Sequence, residues 1–148
     1  MKTNGETFVK MRLSIVLLAL ACAAPCRPAH SQVLVIANPS VGATDVSKAE
    51  LRDVFTGASS SLKGAAQVTP VLLKGGTVNN DFLDLYVGKS DSAFRASWRG
   101  ILFSGQGMLP KTLDSDAAVV EYVAHTPGAI GYIGKASPHE GVKTLMVR

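Results

Sequence analysis

The sequence predicts an α/β protein: a single compact domain with a mainly parallel or mixed sheet flanked by helices. Short, continuous apolar runs alternate along the chain with segments in which apolar residues recur every three or four positions. The first pattern is typical of strands buried on both faces, and the second is typical of amphipathic helices. Their regular alternation favours a sheet that is covered by the helices between its strands.

The first apolar run, Val33–Ala37, predicts a buried strand. Ser47 and Glu50 follow at the spacing of a capping box, in which two side chains satisfy backbone N–H groups that the first helical turn leaves unpaired. Gly57 is then suited to end this helix, because glycine readily adopts the left-handed conformation of a helix C-terminus.

Residues 68–73 predict a second strand, and Pro70 within it favours an edge position or a late start. Thr77 is placed to cap a second helix that ends at Gly88, and Ser90 begins a third. In the third helix Trp98 belongs to an apolar face and is interpreted as a core residue.

Arg95 and Arg99 lie one turn apart on another face of that third helix. Such a pair could form a patch that binds an anion or a partner. The spacing is also typical of a solvated helix face, which is how we interpret these residues. Asp114 or Ser115 caps a fourth helix, after which residues 129–133 and 144–147 complete the predicted strands.

The N-terminus predicts a secretory leader. Lys10 and Arg12 precede an apolar run over residues 13–24, and Ala29-His30-Ser31 offers small residues where a signal peptidase cleaves. Met11 is an alternative initiator that gives the leader ordinary proportions. We therefore expect residues 1–31 to be removed and residues 32–148 to form the domain in the periplasm or outside the cell.

Composition after residue 31 excludes several classes of function. The 117 remaining residues carry 11 basic and 10 acidic side chains, so neither a nucleic-acid nor a membrane-surface partner is indicated. Both cysteines, Cys22 and Cys26, precede this part, which excludes a disulfide or a thiolate metal site. The length suits one core and is too short for a protein of two lobes.

Several phrases together resemble the framework of the phosphate-type periplasmic substrate-binding proteins, a family with the type 2 periplasmic binding protein fold. In chain order they are Glu50-Leu51-Arg52-Asp53-Val54-Phe55-Thr56-Gly57, Lys74-Gly75-Gly76-Thr77 with Phe82, Trp98, Phe103-Ser104-Gly105 with Pro110, and Thr126-Pro127-Gly128-Ala129-Ile130-Gly131-Tyr132-Ile133. The resemblance covers roughly residues 33–133. It implies a single lobe of that fold and a non-catalytic protein that binds phosphate.

The best candidate for a binding site comprises Lys74, Gly75, Gly76 and Thr77, where a strand ends and a helix begins. A helix start presents unpaired N–H groups and a partial positive charge, and glycine lets an oxyanion approach the backbone closely. The resembled family binds phosphate here with a Gly-Ser-Gly-Thr turn preceded by an arginine and an aspartate. This sequence keeps only Gly76 and Thr77 of that pattern, so a plain strand–turn–helix junction is the alternative.

Asn38 and Ser40 form a second candidate, because they follow the first predicted strand. Ligands of open α/β sheets bind beyond the carboxyl ends of strands, so these residues are expected to face the same crevice as Thr77. The alternative is a proline-led turn in which Asn38 bonds its own backbone.

No catalytic motif is complete in this sequence. Ser104 lacks the glycine that a nucleophile elbow requires two residues earlier, and His125 and His139 have no acidic residues at metal-ligand spacing. We expect no enzyme, cofactor or metal. Two hypotheses remain: an exported binding protein for phosphate or a related oxyanion that serves uptake or sensing, or an interaction module that keeps the framework without a ligand. A membrane transporter or sensor is the expected partner, and a homodimer is a second prediction.

Overall fold

The computed structural model describes residues 33–63 and 67–148. In chain order the elements are β1 (Val33–Ala37), β2 (Asp45–Val46), α1 (Lys48–Thr56), β3 (Thr69–Leu73), α2 (Thr77–Phe82) with a π-helical turn (Leu83–Val87), α3 (Asp91–Phe103), β4 (Lys111–Leu113), α4 (Asp116–His125), β5 (Ala129–Gly134) and β6 (Lys143–Val147). The predicted leader, residues 1–31, lies outside the described residues. None of the described helices is long and apolar enough to cross a membrane.

The strands form one mixed sheet in the order β2-β6-β1-β5-β3-β4. The pairs β2–β6, β3–β4 and β3–β5 are parallel, whereas β1 is antiparallel to both of its neighbours, β5 and β6. The predicted α/β class with a parallel or mixed sheet is therefore confirmed. The direction of β1 is important for the site, because it reverses the end at which its following loop emerges.

Helices cover both faces of the sheet. On one face α4 packs so closely that a Cβ atom on Gly131 would stand 2.9 Å from a methyl carbon of Val119. On the other face the ring of Tyr132 stacks on Phe82 with centroids 3.8 Å apart, and Phe55 of α1 meets Phe82 edge-on at 4.8 Å. These three aromatic residues are fully buried and form the centre of the core beneath α1, α2 and α3.

The boundaries of α1, α3 and α4 follow the local signals. The expectation that Thr77 caps α2 is wrong, because Gly76 occupies the cap position and no side-chain hydrogen bond is made there. Ser47 and Glu50 make both bonds of the capping box, and Gly57 ends α1 in the left-handed conformation with φ of 80°. Ser90 and Ser115 accept hydrogen bonds at the starts of α3 and α4. Trp98 is a core residue, as predicted, and its indole N–H donates to the Phe55 carbonyl oxygen at 2.9 Å.

Two very short strands were not predicted, namely β2 and β4, which occupy the two edges of the sheet. Pro70 favoured an edge position or a late start for β3. The edge position is not found, since β4 lies outside β3, but the late start is, because β3 begins at Thr69 and pairs with β4 only from Val71. Pro70 therefore meets no partner strand on that side, and its missing N–H costs no ladder bond.

Candidate functional site

The carboxyl ends of β3, β4 and β5 lie at one edge of the sheet because these strands run parallel. The turn after β3 leads into α2, the residues after β4 lead into α4, and a loop follows β5. Two helix N-termini therefore approach this edge from opposite faces of the sheet. Loops that converge in this way form the usual ligand crevice of an open α/β sheet.

The predicted site of Lys74, Gly75, Gly76 and Thr77, which we call the 74–77 turn, lies at this edge. All four residues are exposed. Gly76 has φ of 95° and occupies the cap position of α2 without any side-chain hydrogen bond. No hydrogen bond is found from the N–H groups of Gly75, Gly76 or Thr77 to another described residue. Their donors are thus available to a ligand or to water.

The space around the two glycines of the turn is also open. A Cβ atom built on Gly75 or Gly76 would have no atom within 4 Å. The glycines therefore do not serve close packing between the turn and a neighbouring segment. They leave an unobstructed approach to the backbone.

The charge of the turn is modest. The ammonium of Lys74 lies 3.5 Å from the carboxylate of Asp114, and both side chains extend into solvent. Such an exposed pair contributes little energy, but the carboxylate offsets part of the positive potential near the turn. Asp116 is engaged elsewhere: its carboxylate accepts from the Gly134 N–H at 2.9 Å and from the Ser137 hydroxyl at 2.6 Å.

A buried polar pair lies directly behind the turn. The Leu73 N–H donates to the hydroxyl of Tyr132 at 3.2 Å, and that hydroxyl donates to the side-chain oxygen of Asn79 at 2.6 Å. At Leu73 this side-chain hydrogen bond replaces backbone pairing with β5, because pairing between β3 and β5 is confined to Thr69 and Pro70. Burial raises the pKa of Tyr132 well above its ordinary value, so the phenol stays protonated and remains a donor.

The chain of hydrogen bonds continues from Asn79 to α3 and returns to the turn. The Asn79 amide donates to Asp91 at 2.9 Å, and Arg95 Nε donates to the other oxygen of that carboxylate at 2.9 Å. Arg95 Nη2 then donates to the carbonyl oxygens of Lys74 at 2.6 Å and Leu73 at 3.3 Å. The hydrogen bond from Arg95 lowers the pKa of Asp91, so this carboxylate is ionised at neutral pH.

Arg95 therefore does not belong to a purely solvated face, contrary to our interpretation from spacing. Its guanidinium spans from α3 to the end of β3. Among the described contacts Arg99, one turn later, makes no ion pair, which agrees with a solvated residue.

Asn38 and Ser40 do not share the crevice with Thr77, and that expectation is wrong. Because β1 is antiparallel to β5, its end pairs with the start of β5, at the opposite edge of the sheet. Six residues of β3 and its exit, 69–74, separate the two edges, a distance of about 16 Å at the usual rise of a strand.

The polar groups of Asn38 are also occupied by the protein. Its amide donates to the carbonyl oxygens of Val123 and Ala124 at the end of α4, at 2.8 and 3.0 Å. Its side-chain oxygen accepts from the Ser40 N–H at 2.9 Å, and the Ser40 hydroxyl accepts from the Gly128 N–H at 2.9 Å. The alternative, a turn in which Asn38 bonds its own backbone, is the arrangement found.

A groove of about 510 Å³ runs between α3 and the edge strand β4. Leu72, Phe94 and Trp98 lie along it, with Arg95 and Arg99 beside them. Large apolar side chains are exposed at the end of α3 and in the loop that leads to β4, most of all Phe103 and Met108, at 85% and 87%. Within the described part of the chain no cluster of histidine, cysteine and acidic residues could hold a metal ion.

Sequence reasoning missed Asn79, Asp91, Arg95 and Tyr132 as neighbours of the candidate turn. Their hydrogen bonds join positions up to 59 residues apart. No local spacing encodes the contacts of Tyr132 with Leu73 and Asn79. Two local signals were present: Asp91 and Arg95 stand four positions apart, the spacing of a helical ion pair, and an asparagine lies among the inward-facing residues of the second predicted helix.

Comparison with known proteins supports the fold. No family model matches the sequence, and no curated protein matches it. Among solved structures, an ABC-type phosphate transport receptor from Vibrio cholerae superposes with a TM-score of 0.60 at 16% identity over 78% of this chain. A putative phosphate ABC transporter substrate-binding protein from Clostridium perfringens, with bound phosphate, gives 0.59 at 16% identity over the same share. PstS from Borrelia burgdorferi gives 0.58 at 21% identity, also over 78%.

The resemblance to phosphate-type binding proteins is thus confirmed at the level of the fold, as is the match to a single lobe of that fold. The chain spans less than half the length of these structures, with 45%, 44% and 47% of them covered.

Proposed function

We propose that this chain is a non-catalytic, exported binding protein for phosphate or a related oxyanion, linked to uptake or sensing. The observation that carries the proposal is the open 74–77 turn at the carboxyl edge of the sheet, in a fold shared with phosphate receptors. We place the protein in the periplasm after loss of residues 1–31. Mass spectrometry of the exported protein tests that placement, and an intact N-terminus would contradict it.

The chemistry of the turn suits an oxyanion. Backbone N–H groups at the start of α2 carry the partial positive charge of a helix N-terminus and lack protein acceptors among the described residues. The hydroxyl of Thr77 adds a donor, and the ammonium of Lys74 adds charge that Asp114 only partly offsets. On the side that faces the turn, a phosphate ion would therefore exchange its hydrogen bonds to water for bonds to backbone N–H groups, a hydroxyl and an ammonium group.

One lobe supplies only one wall around an anion. A fully charged anion needs donors on all sides before it gives up its water, so we expect weak binding by the isolated chain. A second copy or a membrane transporter would supply the opposite wall, and binding should then tighten. Analytical ultracentrifugation with and without phosphate tests the homodimer, which requires a shift towards twice the monomer mass.

A thermal-shift panel tests the function. Phosphate that binds only the folded state raises the melting temperature with concentration, as does arsenate if the site accepts related oxyanions. Thr77→Ala should reduce this rise, because it removes the hydroxyl from the turn. Thr44→Ala is the matched control, since Thr44 is equally exposed but lies in the loop before β2. A wild-type melting curve that is unchanged by millimolar phosphate, sulfate and arsenate would contradict the proposal.

The second candidate function is an interaction module that keeps the fold without binding an anion. The exposure of four large apolar residues within positions 102–109 favours it, and Phe103 and Met108 are the most exposed of them. A flat thermal-shift panel would leave this candidate as the better one. Replacement of both residues by serine should then abolish association with the membrane partner while leaving the melting temperature unchanged.

A further inference from the structure

We propose that Arg95 is a positioning residue for the 74–77 turn, which it holds in the conformation that presents backbone N–H groups to an anion. This inference rests on the proposed function. Arg95 itself would not touch the anion, since its guanidinium bonds backbone carbonyl oxygens and Asp91. Its role is to fix the orientation of the peptide plane between Lys74 and Gly75, for which the described residues provide no other hydrogen bond.

The turn needs such a restraint because packing does not provide one. Two adjacent glycines carry no side chains, and the space around their Cβ positions is empty to 4 Å. Glycine also has the widest choice of backbone conformations. Without hydrogen bonds the peptide plane between Lys74 and Gly75 could rotate at little cost.

The geometry of the peptide bond shows what the restraint achieves. In a trans peptide the C=O and the following N–H point in opposite directions. Arg95 Nη2 holds the Lys74 carbonyl towards α3 at 2.6 Å, so the N–H of Gly75 must point away from α3. In the same way the Gly76 carbonyl accepts from the Asn80 N–H at 3.0 Å, which directs the Thr77 N–H out of the helix.

The guanidinium of Arg95 is itself restrained by a series of hydrogen bonds that extends into the hydrophobic core. Asp91 binds Arg95 Nε and is held by Asn79, whose side-chain oxygen accepts from the buried Tyr132 hydroxyl. Asn79 is 1% exposed, so water cannot replace the groups to which it is hydrogen-bonded. Tyr132 also accepts from the Leu73 N–H, so the series of hydrogen bonds returns to the residue before the turn. These hydrogen bonds thus link the turn to the aromatic core.

The test compares Arg95→Lys with Arg99→Lys. Lysine keeps the charge at position 95, but its single nitrogen cannot take both places from which Nε donates to Asp91 and Nη2 donates to the carbonyl oxygens. Arg99 is the matched control because it lies one turn away on α3 and makes no described ion pair. Backbone ¹⁵N relaxation of Gly75 and Gly76, measured without ligand, reports the order of the turn. Titration with inorganic phosphate reports affinity.

We expect Arg95→Lys to lower the order parameters of Gly75 and Gly76 from about 0.85 towards 0.6 and to weaken phosphate binding roughly tenfold. Arg99→Lys should change neither quantity. Leu145→Ala, in β6 on the far side of the sheet, is a stability control that should lower the melting temperature without altering phosphate affinity.

Three outcomes decide between the ideas. Unchanged order parameters and affinity in Arg95→Lys overturn the positioning role. Loss of affinity in Leu145→Ala as well would show that global stability is the cause, and this too overturns it. If the wild type binds no phosphate, the proposed function fails, while the relaxation data still decide whether Arg95 orders the turn.

Discussion

Substitution of Asn38 separates a structural role from a ligand-binding one. Asn38→Ala removes two hydrogen bonds to carbonyl oxygens at the end of α4 and one from the Ser40 N–H. Each typically contributes about 1 kcal/mol net, so the free energy of unfolding should fall by about 3 kcal/mol. For a domain of this size that corresponds to a melting temperature lower by roughly 10 °C.

Asn38→Asp sharpens the prediction because it preserves the shape of the side chain. A carboxylate would face the carbonyl oxygens of Val123 and Ala124, which are acceptors at the negative end of a helix. At neutral pH we expect this variant to be less stable than Asn38→Ala. Towards pH 3 protonation should restore part of its stability.

Urea unfolding followed by circular dichroism measures these changes, and a phosphate titration of each variant accompanies it. Asn80→Ala is the control, since Asn80 is an exposed asparagine on α2 and should change stability by less than about 0.5 kcal/mol. The reasoning is refuted if Asn38→Ala leaves the unfolding curve in place but removes a phosphate response that the wild type shows.

Two further predictions concern stability. Gly57→Ala should lower the free energy of unfolding in urea by about 2–4 kcal/mol, because φ is +80° and the new Cβ would stand 2.9 Å from the Trp98 ring. Gly88→Ala is the control: φ is +73° but no atom lies within 4 Å of the new Cβ, so only backbone strain of about 1–2 kcal/mol is expected. Equal losses in the two variants would contradict the packing argument. Asp91 has a pKa below its ordinary value, so its contribution is complete above about pH 5 and is lost as the pH falls through the folded-state pKa. The difference in melting temperature between wild type and Asp91→Asn should therefore shrink between pH 7 and pH 3, and a constant difference would disprove the assignment.

Most of the fold could be predicted because its signals are local. Ser47, Gly57 and Ser115 act within four residues of the backbone groups that they cap, and such patterns can be read along the chain. The edge strands β2 and β4 could not be predicted in the same way. They have two and three residues, too few for any periodicity, and they exist only because a neighbouring strand offers hydrogen bonds.

The candidate site was predictable only in part. The 74–77 turn stood out because glycines follow an apolar run, and the structure places it where the pattern implied, at the carboxyl edge of the sheet. The apolar run of β1 predicts a strand but not its direction. The assumption that β1 is parallel to its neighbours therefore placed Asn38 at the wrong edge of the sheet. The supporting residues escaped notice because Tyr132 and Leu73 meet only in the folded chain.

The central position of β1 has a consequence for how this chain acquires its structure. Both strands that flank it come from the last 20 residues of the sequence, 129–148. Such distant pairing gives a high contact order, which slows folding. The middle of the sheet therefore cannot form before residues 129–148 are available, and a chain without them would lack a closed core. Late closure of this kind agrees with the export that we propose.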